Sequence, residues 1–528
     1  MKKYLLIFII LLVVLGGGYF EYLYTKKIGG PGGETSRESK NESEIQKTGQ
    51  EKNKQSLIER NLNPDELKCP DCNLVIVSLT NTRKDHIGLY GYKRDTTPNI
   101  DTFFKNSLIF ENVFAPASWT LPVAVSLYTS LFPYSHGVMD RYDGSRLDDD
   151  VLTFTEIFKA NDYKTAAFTG GGDYNRKFNF AQGFDAYVDE ENYSDFGIDY
   201  RGGANGQAGP AAYLGIEQLV SPASDWFIKN DGNKKFLLLQ GFDTHCPFTP
   251  SGQFKEKFTG EYKGDIDFSV CLWTFKQTEP IYENGKKYWT LQTWYSPDKG
   301  IQEIKVTDED VAYMIDLYDG EIAQADSYLK DFFDAIKNSE LEKNTIFIFM
   351  SEHGDLFGEH GRFMRGGPLR GTFYDPVVNP PLIMKHPKIK EPVTIRGLVQ
   401  TVDVMPTLLD MLGLADPQAE TRQGKSIISE LAGGPAVNEF IYAGSRYAAK
   451  NNLFFDGLSV VESIRNKEWK LIKEEIFDSS GQTKKEESYE LYNISADPKE
   501  EKNFIEDEKE IAGDLKDKLN QWAASLMK

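Results

Sequence analysis

The sequence predicts an α/β fold in which a large, mostly parallel sheet is sandwiched by helices and followed by a small C-terminal antiparallel sheet with a helix. Three observations support this prediction. Short apolar runs rich in β-branched residues, such as NLVIVSL at 73–79, are typical of buried strands. Between these runs, apolar residues recur at every third or fourth position, as in amphipathic helices. After residue 415 the pattern changes to strands separated by turns.

The elements follow from these patterns in chain order. Central strands are predicted at NLVIVSL, KFLLLQGF and NTIFIFMS, with PLIMKHP as a further candidate. The predicted helices are DTFFKNS, LTFTEIFKAN, SPASDWFIKN, DEDVAYMIDLYDGEIAQADSYLKDFFDAIKN and VQTVDVMPTLLDMLGL. Alternating strands and helices imply a mostly parallel sheet that is covered on both faces. The C-terminal strands are predicted at FIYAGSRY, LSVVESIRN, KEWKLIKEEIF and ESYELYNIS, before a helix from Asp507 to Met527.

Composition bounds the class of protein. A chain of 528 residues is longer than one core usually supports, which predicts a large domain with a smaller partner. Its 40% hydrophobic and 27% charged residues are ordinary for a globular protein. The formal charge of −20 argues against a nucleic-acid partner, because counterion release requires clustered lysine and arginine.

The N-terminal residues 1–27 have the features of a membrane anchor. An uncharged run from Tyr4 to Phe20 extends through Tyr24 to nearly the length of about 20 residues that a membrane-spanning helix needs. We see neither an Ala-x-Ala cleavage site nor a cysteine for lipidation, so an uncleaved single-pass signal anchor is favoured over a cleaved signal peptide. The short basic N-terminus predicts that the large domain is extracytoplasmic.

The remaining organisation is read from composition. Residues 28–66, rich in Gly, Ser, Glu, Lys and Gln, are predicted to be a flexible spacer. The main domain is predicted at 67–415 and the C-terminal α+β subdomain at 416–528. An insertion at 260–300 contains a predicted hairpin turn at 283–285. Its aromatic residues form either a local core or a substrate-facing lid: Trp273, Tyr288, Trp289, Trp294 and Tyr295.

Four cysteines are present, an even number that suits an oxidising compartment. Cys69 and Cys72 form a CPDC motif, which we interpret as a small disulfide staple; a zinc half-site or a redox dithiol is the alternative. We interpret Cys246 and Cys271 as buried thiols.

Polar residues follow three of the predicted central strands. Residues 79–81, 243–245 and 351–354 each come directly after an apolar run. In open parallel sheets ligands bind outside the carboxyl ends of the strands. We therefore expect these three segments to converge on one site.

Several segments together resemble the sulfatase branch of the alkaline-phosphatase superfamily. They are NLVIVSLTNTRKDHIGLYGY, SWTLPVAVSLYTSLFPYSHGV, FDTHCPFTP, MSEHGDLFGEHGRF, VQTVDVMPTLLDMLGL and WKLIKEEIF with YELYNISADPKEEKNF. Their order and spacing are similar to those of sulfatases from about Asn73 to the C-terminus. The resemblance implies a sulfatase-like fold, hydrolysis of an anionic ester and a bound divalent metal.

The nucleophile motif departs from the family pattern. In sulfatases a Cys-or-Ser-x-Pro-x-Arg motif carries a residue that becomes formylglycine, and TLPVA at 120–124 fills that place here. Threonine cannot become formylglycine, so the resemblance implies direct attack by Thr120, as in the phosphoethanolamine transferases and lipoteichoic-acid synthases. A plain helix cap is the alternative interpretation of Thr120.

The metal ligands also depart from the pattern. Sulfatases bind one cation, usually calcium, through paired acids after the first strand and a later Asp-Asn or Asp-His pair. The corresponding residues are Thr80, Asn81, Glu352 and His353. With one carboxylate among them, calcium should bind more weakly, which leaves Mg²⁺, Mn²⁺ and Zn²⁺ as alternatives. Asp85 contributes only if its loop is rearranged.

Some substrate-binding positions match the family pattern, and others do not. His245 corresponds to the substrate-binding histidine, and Arg370 lies near the sulfate-binding lysine of the family. Ala124 replaces the motif arginine, and FTGGGDYNRKF stands in place of the Gly-Lys-Trp-His segment. Arg362, Arg365 and Arg370 are candidates for replacing this positive charge, unless they belong to an exposed basic loop.

These residues support two hypotheses of different classes. The first is a membrane-anchored, sulfatase-like hydrolase or transferase that acts on a sulfuric or phosphoric ester, with Thr120 as nucleophile, a divalent metal, and a glycan or a lipid head group as the anionic substrate. The second is a catalytically silent sulfatase fold that binds an anionic glycan or a protein partner. The missing acids favour the second hypothesis, whereas Thr120, His245 and the pair Glu352–His353 favour the first.

Overall fold

Eight strands form a central sheet in the computed structural model of this chain. The structure describes residues 61–140, 145–198, 213–230, 234–272, 280–283, 285–296, 300–365, 372–449 and 457–526. The predicted anchor and residues 28–60 of the predicted spacer lie outside these ranges. No helix within them is both long and apolar enough to cross a membrane. Leu62 is buried, so the folded part begins before the predicted boundary at residue 67.

The strands are short, and most of them are buried. In chain order they are β1 (Asn73–Leu79), β2 (Leu108–Phe110), β3 (Val113–Phe114), β4 (Tyr163–Thr169), β5 (Ala186–Val188), β6 (Lys234–Gly241), β7 (Ile281–Glu283), β8 (Lys286–Ser296), β9 (Gly300–Thr307), β10 (Thr345–Met350), β11 (Leu356–Phe357), β12 (Phe363–Met364), β13 (Leu382–Lys385), β14 (Val393–Ile395), β15 (Val399–Gln400), β16 (Ile441–Ala449), β17 (Gly457–Arg465), β18 (Trp469–Phe477) and β19 (Lys484–Asn493).

Twelve α-helices lie within the described ranges. In chain order they are α1 (Pro64–Leu67), α2 (Pro98–Phe103), α3 (Thr120–Thr129), α4 (Pro133–His136), α5 (Phe154–Ala160), α6 (Ile216–Lys229), α7 (Gly252–Phe258), α8 (Asp308–Asn338), α9 (Asp375–Val378), α10 (Thr401–Leu412), α11 (Ile428–Leu431) and α12 (Lys509–Leu526).

The central sheet has the strand order β14-β2-β13-β10-β1-β6-β4-β5. Strand β1 lies in the middle, and Val75 pairs in parallel with Phe347 of β10 on one side and with Leu237 of β6 on the other. Only β13 runs antiparallel to its neighbours in this sheet. The predicted mostly parallel sheet is confirmed, with β13 at the predicted position of PLIMKHP.

Alternate side chains of β1 enter different cores. Ile76 lies in a core with Leu121 of α3, whereas Val77 lies in a second core with Phe227 of α6 and Leu329 of α8. Burying an aliphatic or aromatic side chain of this size stabilises the fold by roughly 1.5–3 kcal/mol. Apolar residues on both faces explain the unbroken run NLVIVSL, which is typical of a parallel strand.

The C-terminal strands β16 to β19 form an antiparallel meander that carries α12. Leu471 of β18 packs with Leu515 and Leu519 of α12, whereas Ile472 faces the main core. The predicted small antiparallel sheet with a helix is therefore confirmed. Asp375, at the start of α9, fixes this sheet to the main domain through ion pairs that are described below.

Both cysteine pairs are disulfides. The Cys69–Cys72 disulfide confirms the predicted staple. The interpretation of Cys246 and Cys271 as buried thiols is wrong, because they form a second disulfide across 25 residues. The chain between them folds back so that their Cα atoms lie 5.3 Å apart, a proximity that the sequence does not reveal.

The aromatic insertion forms a three-stranded sheet, β7-β8-β9. Glu283 pairs with Lys286, which confirms the predicted hairpin turn. Trp289 is buried, packs against Phe363 of β12 and belongs to a local core, and Tyr288 is buried too. Trp273 and the side chains of Trp294 and Tyr295 lie outside the described part of the chain.

Candidate active site

The loops that follow β1, β6 and β10 converge at the carboxyl end of the central sheet, as the sequence predicts. The backbone N–H of Thr82, after β1, donates to Ser351 Oγ, after β10, at 3.0 Å. On the other side, the hydroxyl oxygens of Thr82 and Thr244, after β6, lie 2.9 Å apart. Because β1 is the middle strand of the three, its loop joins the other two into one hydrogen-bonded floor.

Helix α3 places Thr120 above this floor. Trp119 occupies the N-cap position, so Thr120 is the first helical residue and not the cap. Its hydroxyl is buried and lies 3.2 Å from His353 Nε2. The first N–H groups of a helix have no intrahelical acceptor and carry partial positive charge. Thr120 therefore combines an oriented hydroxyl with a helix end that favours anions.

The hydrogen bonds of His353 fix the direction of its contact with Thr120. His353 Nδ1 lies 2.8 Å from the carbonyl oxygen of Gly354, which can only accept, so Nδ1 carries the proton. In the neutral ring Nε2 is then the acceptor, and the Thr120 hydroxyl donates to it. This is the arrangement of a hydroxyl nucleophile beside a proton acceptor that is itself oriented by a third group.

Glu352 lies beneath the helix, fully buried. Ser78 Oγ and the Tyr174 hydroxyl donate to its Oε1 at 2.8 and 2.5 Å. Its Oε2 has no hydrogen-bond partner within the described residues. Burial raises the pKa of the Glu352 carboxyl, although the hydrogen bonds from Tyr174 and Ser78 oppose this effect. The carboxylate is held by hydroxyl groups and not by a cationic side chain.

Thr80 and Asn81 follow β1 and differ in their surroundings. Thr80 Oγ1 accepts a hydrogen bond from Gln240 Nε2 at 2.8 Å. Asn81 adopts a left-handed backbone conformation with φ of 70°, which asparagine tolerates better than most residues. Its Nδ2 donates to Asp355 Oδ2 at 2.7 Å, and its Oδ1 has no donor in the part of the chain described.

Asp355 is a buried acid that is not among the predicted site residues. Burial raises its pKa to about 6, although the charge of Arg365 and the hydrogen bond from Asn81 oppose this effect. Arg83 donates to the backbone carbonyl of Asp355 and pairs its guanidinium group with Asp85. Asp85 is therefore committed to Arg83, and the structure shows no rearranged loop that would turn it toward the site.

His245 and Arg365 lie together beside the floor. His245 Nδ1 lies 2.6 Å from the carbonyl oxygen of Cys246, which leaves Nε2 to accept from Arg365 Nη2 at 3.3 Å. Of the three candidate arginines, Arg365 reaches this position, whereas Arg362 approaches Glu474 of the C-terminal sheet to 4.0 Å. The third, Arg370, lies outside the described residues.

The oxygen atoms of this site can be compared with the ligands that a divalent cation prefers. Within the described residues, three buried oxygens of this site have no donor: Asn81 Oδ1, Glu352 Oε2 and Asp355 Oδ1. Oxygen ligands suit Ca²⁺ and Mg²⁺. These side chains do not form a compact cluster of acids: among the described residues, the one group of three His, Cys, Asp or Glu with ligand atoms within 4.8 Å is His245–Cys246–Cys271. Its two sulfur atoms form a disulfide and cannot supply thiolates.

Two site residues were missed for identifiable reasons. Tyr174 follows β4, a strand whose run YKTAAFT is too polar to stand out, and it becomes relevant only because β4 lies beside β6. Asp355 lies in the SEHGD segment itself, two residues after His353, the second of the positions that correspond to family ligands. An acid that follows the third strand end so closely was the signal that could have identified it.

The sequence of this chain is similar to those of known proteins. The model of the Sulfatase family matches residues 72–414, and a model described as N-sulphoglucosamine sulphohydrolase, C-terminal, matches residues 358–525. An arylsulfatase of Clostridium perfringens is 25% identical over 401 residues, covering 68% of this chain and 78% of the relative. A Delta 4,5-hexuronate-2-O-sulfatase of Bacteroides thetaiotaomicron is 22% identical over 457 residues, covering 83% and 85%.

The fold itself is similar to solved structures. The crystal structure of the phosphonate monoester hydrolase of Agrobacterium radiobacter superimposes with a TM-score of 0.62 at 18% sequence identity, covering 86% of this chain and 96% of that one. Both the family matches and this likeness confirm the predicted fold class.

Proposed function

This chain belongs to the sulfatase family of ester hydrolases, and we propose that it cleaves or transfers a sulfuric or phosphoric ester with Thr120 as the direct nucleophile. The contact between Thr120 Oγ1 and His353 Nε2 at 3.2 Å is the observation that carries this proposal. It gives a residue that cannot become formylglycine a proton acceptor of its own.

The proposed chemistry has two steps. Thr120 Oγ1 attacks the sulfur or phosphorus atom while its proton passes to His353 Nε2, and the bond to the ester oxygen breaks as that oxygen takes the proton from His353 and leaves as an alcohol. Water, or an acceptor hydroxyl in a transferase, then attacks the covalent group; His353 Nε2 accepts its proton and returns it to Thr120 Oγ1 as the bond to Thr120 breaks. The hydrogen bond from His353 Nδ1 to Gly354 keeps Nε2 directed at the reacting oxygen.

The charge of the transferred group meets two features of the site. The N-terminus of α3 directs its unpaired N–H groups toward an anion at Thr120. We propose that Arg365, buried beside His245, takes over the anion-binding role of the family arginine, which Ala124 replaces in the sequence. Arg370 remains a proposed anion-binding residue on the basis of the resemblance alone.

A divalent cation, expected to be Ca²⁺ or Mg²⁺, is part of the proposal. When bound, such an ion neutralises negative charge on the transferred group. Of the family positions, Thr80, Asn81 and Glu352 would hold it, and Asn81 and Glu352 offer oxygens without a donor among the described residues. Both ring nitrogens of His353, the fourth family position, make hydrogen bonds, so in this proposal His353 is the proton acceptor and not a ligand.

We propose an anionic ester on a glycan or a lipid head group as the substrate class, outside the cytoplasm. Support comes from the relatives, among them the hexuronate sulfatase, and from the two disulfides, which suit an oxidising compartment. Anchoring by residues 1–27 remains a proposal from the sequence. Fractionation of cells that produce the full chain tests it: the protein should stay with membranes after a salt wash.

Turnover measurements test the proposed reaction. We would assay the protein on aryl sulfates and on phosphate mono- and diesters with Ca²⁺, Mg²⁺, Mn²⁺ or Zn²⁺, beside the variants Thr120→Ala and Thr120→Ser. We expect Thr120→Ala to lose at least ~10³-fold in kcat and Thr120→Ser to retain measurable turnover, because serine keeps the attacking hydroxyl. Turnover that is indifferent to Thr120 would contradict the proposal.

Absence of turnover on every ester would favour the second hypothesis, a silent fold that binds an anionic glycan or a protein partner. The hydroxyl groups of Ser78 and Tyr174, which already occupy Glu352 Oε1, are the observation that keeps this alternative in view.

A further inference from the structure

Two of the unpaired oxygens in the active site belong to side chains that hold each other. Asn81 Nδ2 donates to Asp355 Oδ2 at 2.7 Å, and this bond orients both groups. The second oxygen of each, Asn81 Oδ1 and Asp355 Oδ1, has no donor within the described ranges, and both residues are fully buried. Buried acceptors are almost always satisfied, so such a pair marks a place that a ligand completes.

The backbone holds this pair in place. Asn81 has a positive φ, and its carbonyl accepts a hydrogen bond from the Tyr318 hydroxyl at 2.7 Å. Asp355 is held from the other side by Arg83, which donates to its carbonyl. The two free oxygens are thus fixed by long-range contacts to α8 and to the β1 loop and not by a flexible surface loop.

We propose that Asn81 and Asp355 together hold a hard divalent cation, and that Asp355 supplies the negative charge that Thr80 and Asn81 lack. The inference deepens the proposed function and rests on it for the identity of the site. An amide oxygen and a carboxylate oxygen are ligands for Mg²⁺ or Ca²⁺, and an ion bound by one carboxylate takes its remaining ligands from water and substrate.

The neighbouring arginines leave one oxygen of Asp355 without a direct donor. Arg83, which touches the backbone of Asp355, directs its guanidinium nitrogens at Asp85 and Glu359, each at 2.7 Å. The charge of Arg365 acts on the Asp355 carboxyl, but within the described residues Asp355 Oδ1 receives no hydrogen bond, and Oδ2 receives the neutral amide of Asn81. Asp355 Oδ1 is therefore the oxygen that can bind an ion.

Calorimetric titration of the full-length protein with MgCl₂ and with CaCl₂ tests the proposal without relying on turnover. We expect saturable binding to the wild type and a loss of at least ~10-fold in affinity for Asp355→Asn. The control is Asp85→Asn, which removes the same charge from an acid paired with Arg83 and should leave cation affinity unchanged.

A gain-of-affinity variant separates cation binding from a structural role. Asn81→Asp places a second carboxylate beside Asp355, so we expect cation affinity to rise by roughly 10-fold and the melting temperature to become more dependent on the cation. If Asp355→Asn does not fold, Asn81→Asp decides the question alone.

The proposal is overturned if the wild type shows no saturable binding, if Asp355→Asn binds as the wild type does, or if Asn81→Asp binds no tighter. Failure of the proposed function is distinguishable, because Thr120→Ala should bind the cation normally. If Thr120→Ala still turns over substrate, the nucleophile assignment fails and the cation site stands.

Discussion

Two groups of buried acids in this molecule differ in what surrounds them. At the junction with the C-terminal sheet, Asp375 receives Arg465 at 2.7 Å and Lys470 at 2.8 Å. In the active site, Glu352 and Asp355 receive hydroxyl and amide donors, and each keeps one oxygen without a donor in the described chain. The first group is complete within the fold, whereas the second has capacity for a ligand.

The pKa values of Asp375 and Asp355 change in opposite directions. Burial alone would raise the pKa of Asp375, but the charges of Arg465 and Lys470 overcome it and lower the pKa well below its ordinary value. Burial raises the pKa of Asp355 to about 6 and also raises that of Glu352. Two ion pairs thus overcome burial at Asp375, whereas the charge of Arg365 and the hydrogen bond from Asn81 do not overcome it at Asp355.

The largest expected effect is a fall in kcat when His353 in the active site is replaced. His353→Gln keeps a polar side chain but cannot accept the Thr120 proton, so we expect kcat to fall by roughly 10³-fold. The control is His360→Gln, because His360 stacks on Tyr374 at 3.6 Å, and kcat should not change. Steady-state kinetics on the ester with the highest turnover would measure both variants. Wild-type turnover by His353→Gln would contradict the role of His353 as proton acceptor.

The variant Lys470→Met removes one of the ion pairs of Asp375. Lys470 is buried and pairs with Asp375 at 2.8 Å and with Glu500 at 2.6 Å, so its loss removes the cationic partner of the buried Glu500 and leaves Asp375 with Arg465 alone. We expect the free energy of unfolding to fall by about 3–5 kcal/mol, measured by urea denaturation. Lys484→Met, which removes an exposed lysine that pairs with Glu475, should cost less than ~1 kcal/mol. Equal costs for the two variants would contradict this account.

Another buried acid, Glu321, extends the comparison to pH. Glu321 accepts a hydrogen bond from the Thr249 N–H at 2.5 Å, and burial raises its pKa to about 8. The folded protein therefore binds the proton of the Glu321 carboxyl more tightly than the unfolded chain does. As a result, the free energy of unfolding is higher at low pH and falls as pH rises toward 8. Between pH 5 and pH 8, Glu321 should remove roughly 3 kcal/mol from the free energy of unfolding.

Glu321→Gln tests this assignment, because glutamine keeps the shape and does not titrate. Unfolding curves recorded from pH 5 to pH 8 should show a shallower decline for the variant than for the wild type. Parallel declines would mean that Glu321 ionises in the folded protein as it does in the unfolded chain.

The smallest expected effect concerns the two tyrosines near Glu352. The Tyr174 hydroxyl donates to Glu352, whereas the Tyr128 hydroxyl is buried with no hydrogen-bond partner in the described part of the protein. Tyr174→Phe should lower the free energy of unfolding by about 1–2 kcal/mol, and Tyr128→Phe should leave it nearly unchanged. Thermal unfolding of the two variants measures the difference. A larger loss of stability for Tyr128→Phe than for Tyr174→Phe would contradict the assignment of Tyr174 as the donor to Glu352.

The sequence predicts the strands of the central sheet better than their order. The apolar runs of β1, β6 and β10 are buried on both faces, and periodicity identifies them. The order β10-β1-β6-β4 depends on contacts between segments far apart in the chain. The Cys246–Cys271 disulfide escaped notice for the same reason, because residues 247–270 fold back in a way that local patterns do not encode.

The site was predictable in part. The strand-end rule brought Thr80, His245 and His353 to one edge of the sheet, and the helix start placed Thr120 there. The pairing of Asn81 with Asp355 was not predictable, because it joins residues 274 positions apart through side-chain geometry. The roles assigned to Thr80, Asn81, Glu352, His353 and Arg370 in metal and substrate binding remain predictions.

The central claim is that Thr120 forms a covalent intermediate, and trapping that intermediate tests it most directly. The wild type would be mixed with a reactive aryl ester, quenched in acid within one turnover, digested and analysed by tandem mass spectrometry. We predict a sulfo or phospho group on Thr120, absent from Thr120→Ala. A modified residue other than Thr120, or turnover by Thr120→Ala at the wild-type rate, would contradict the account.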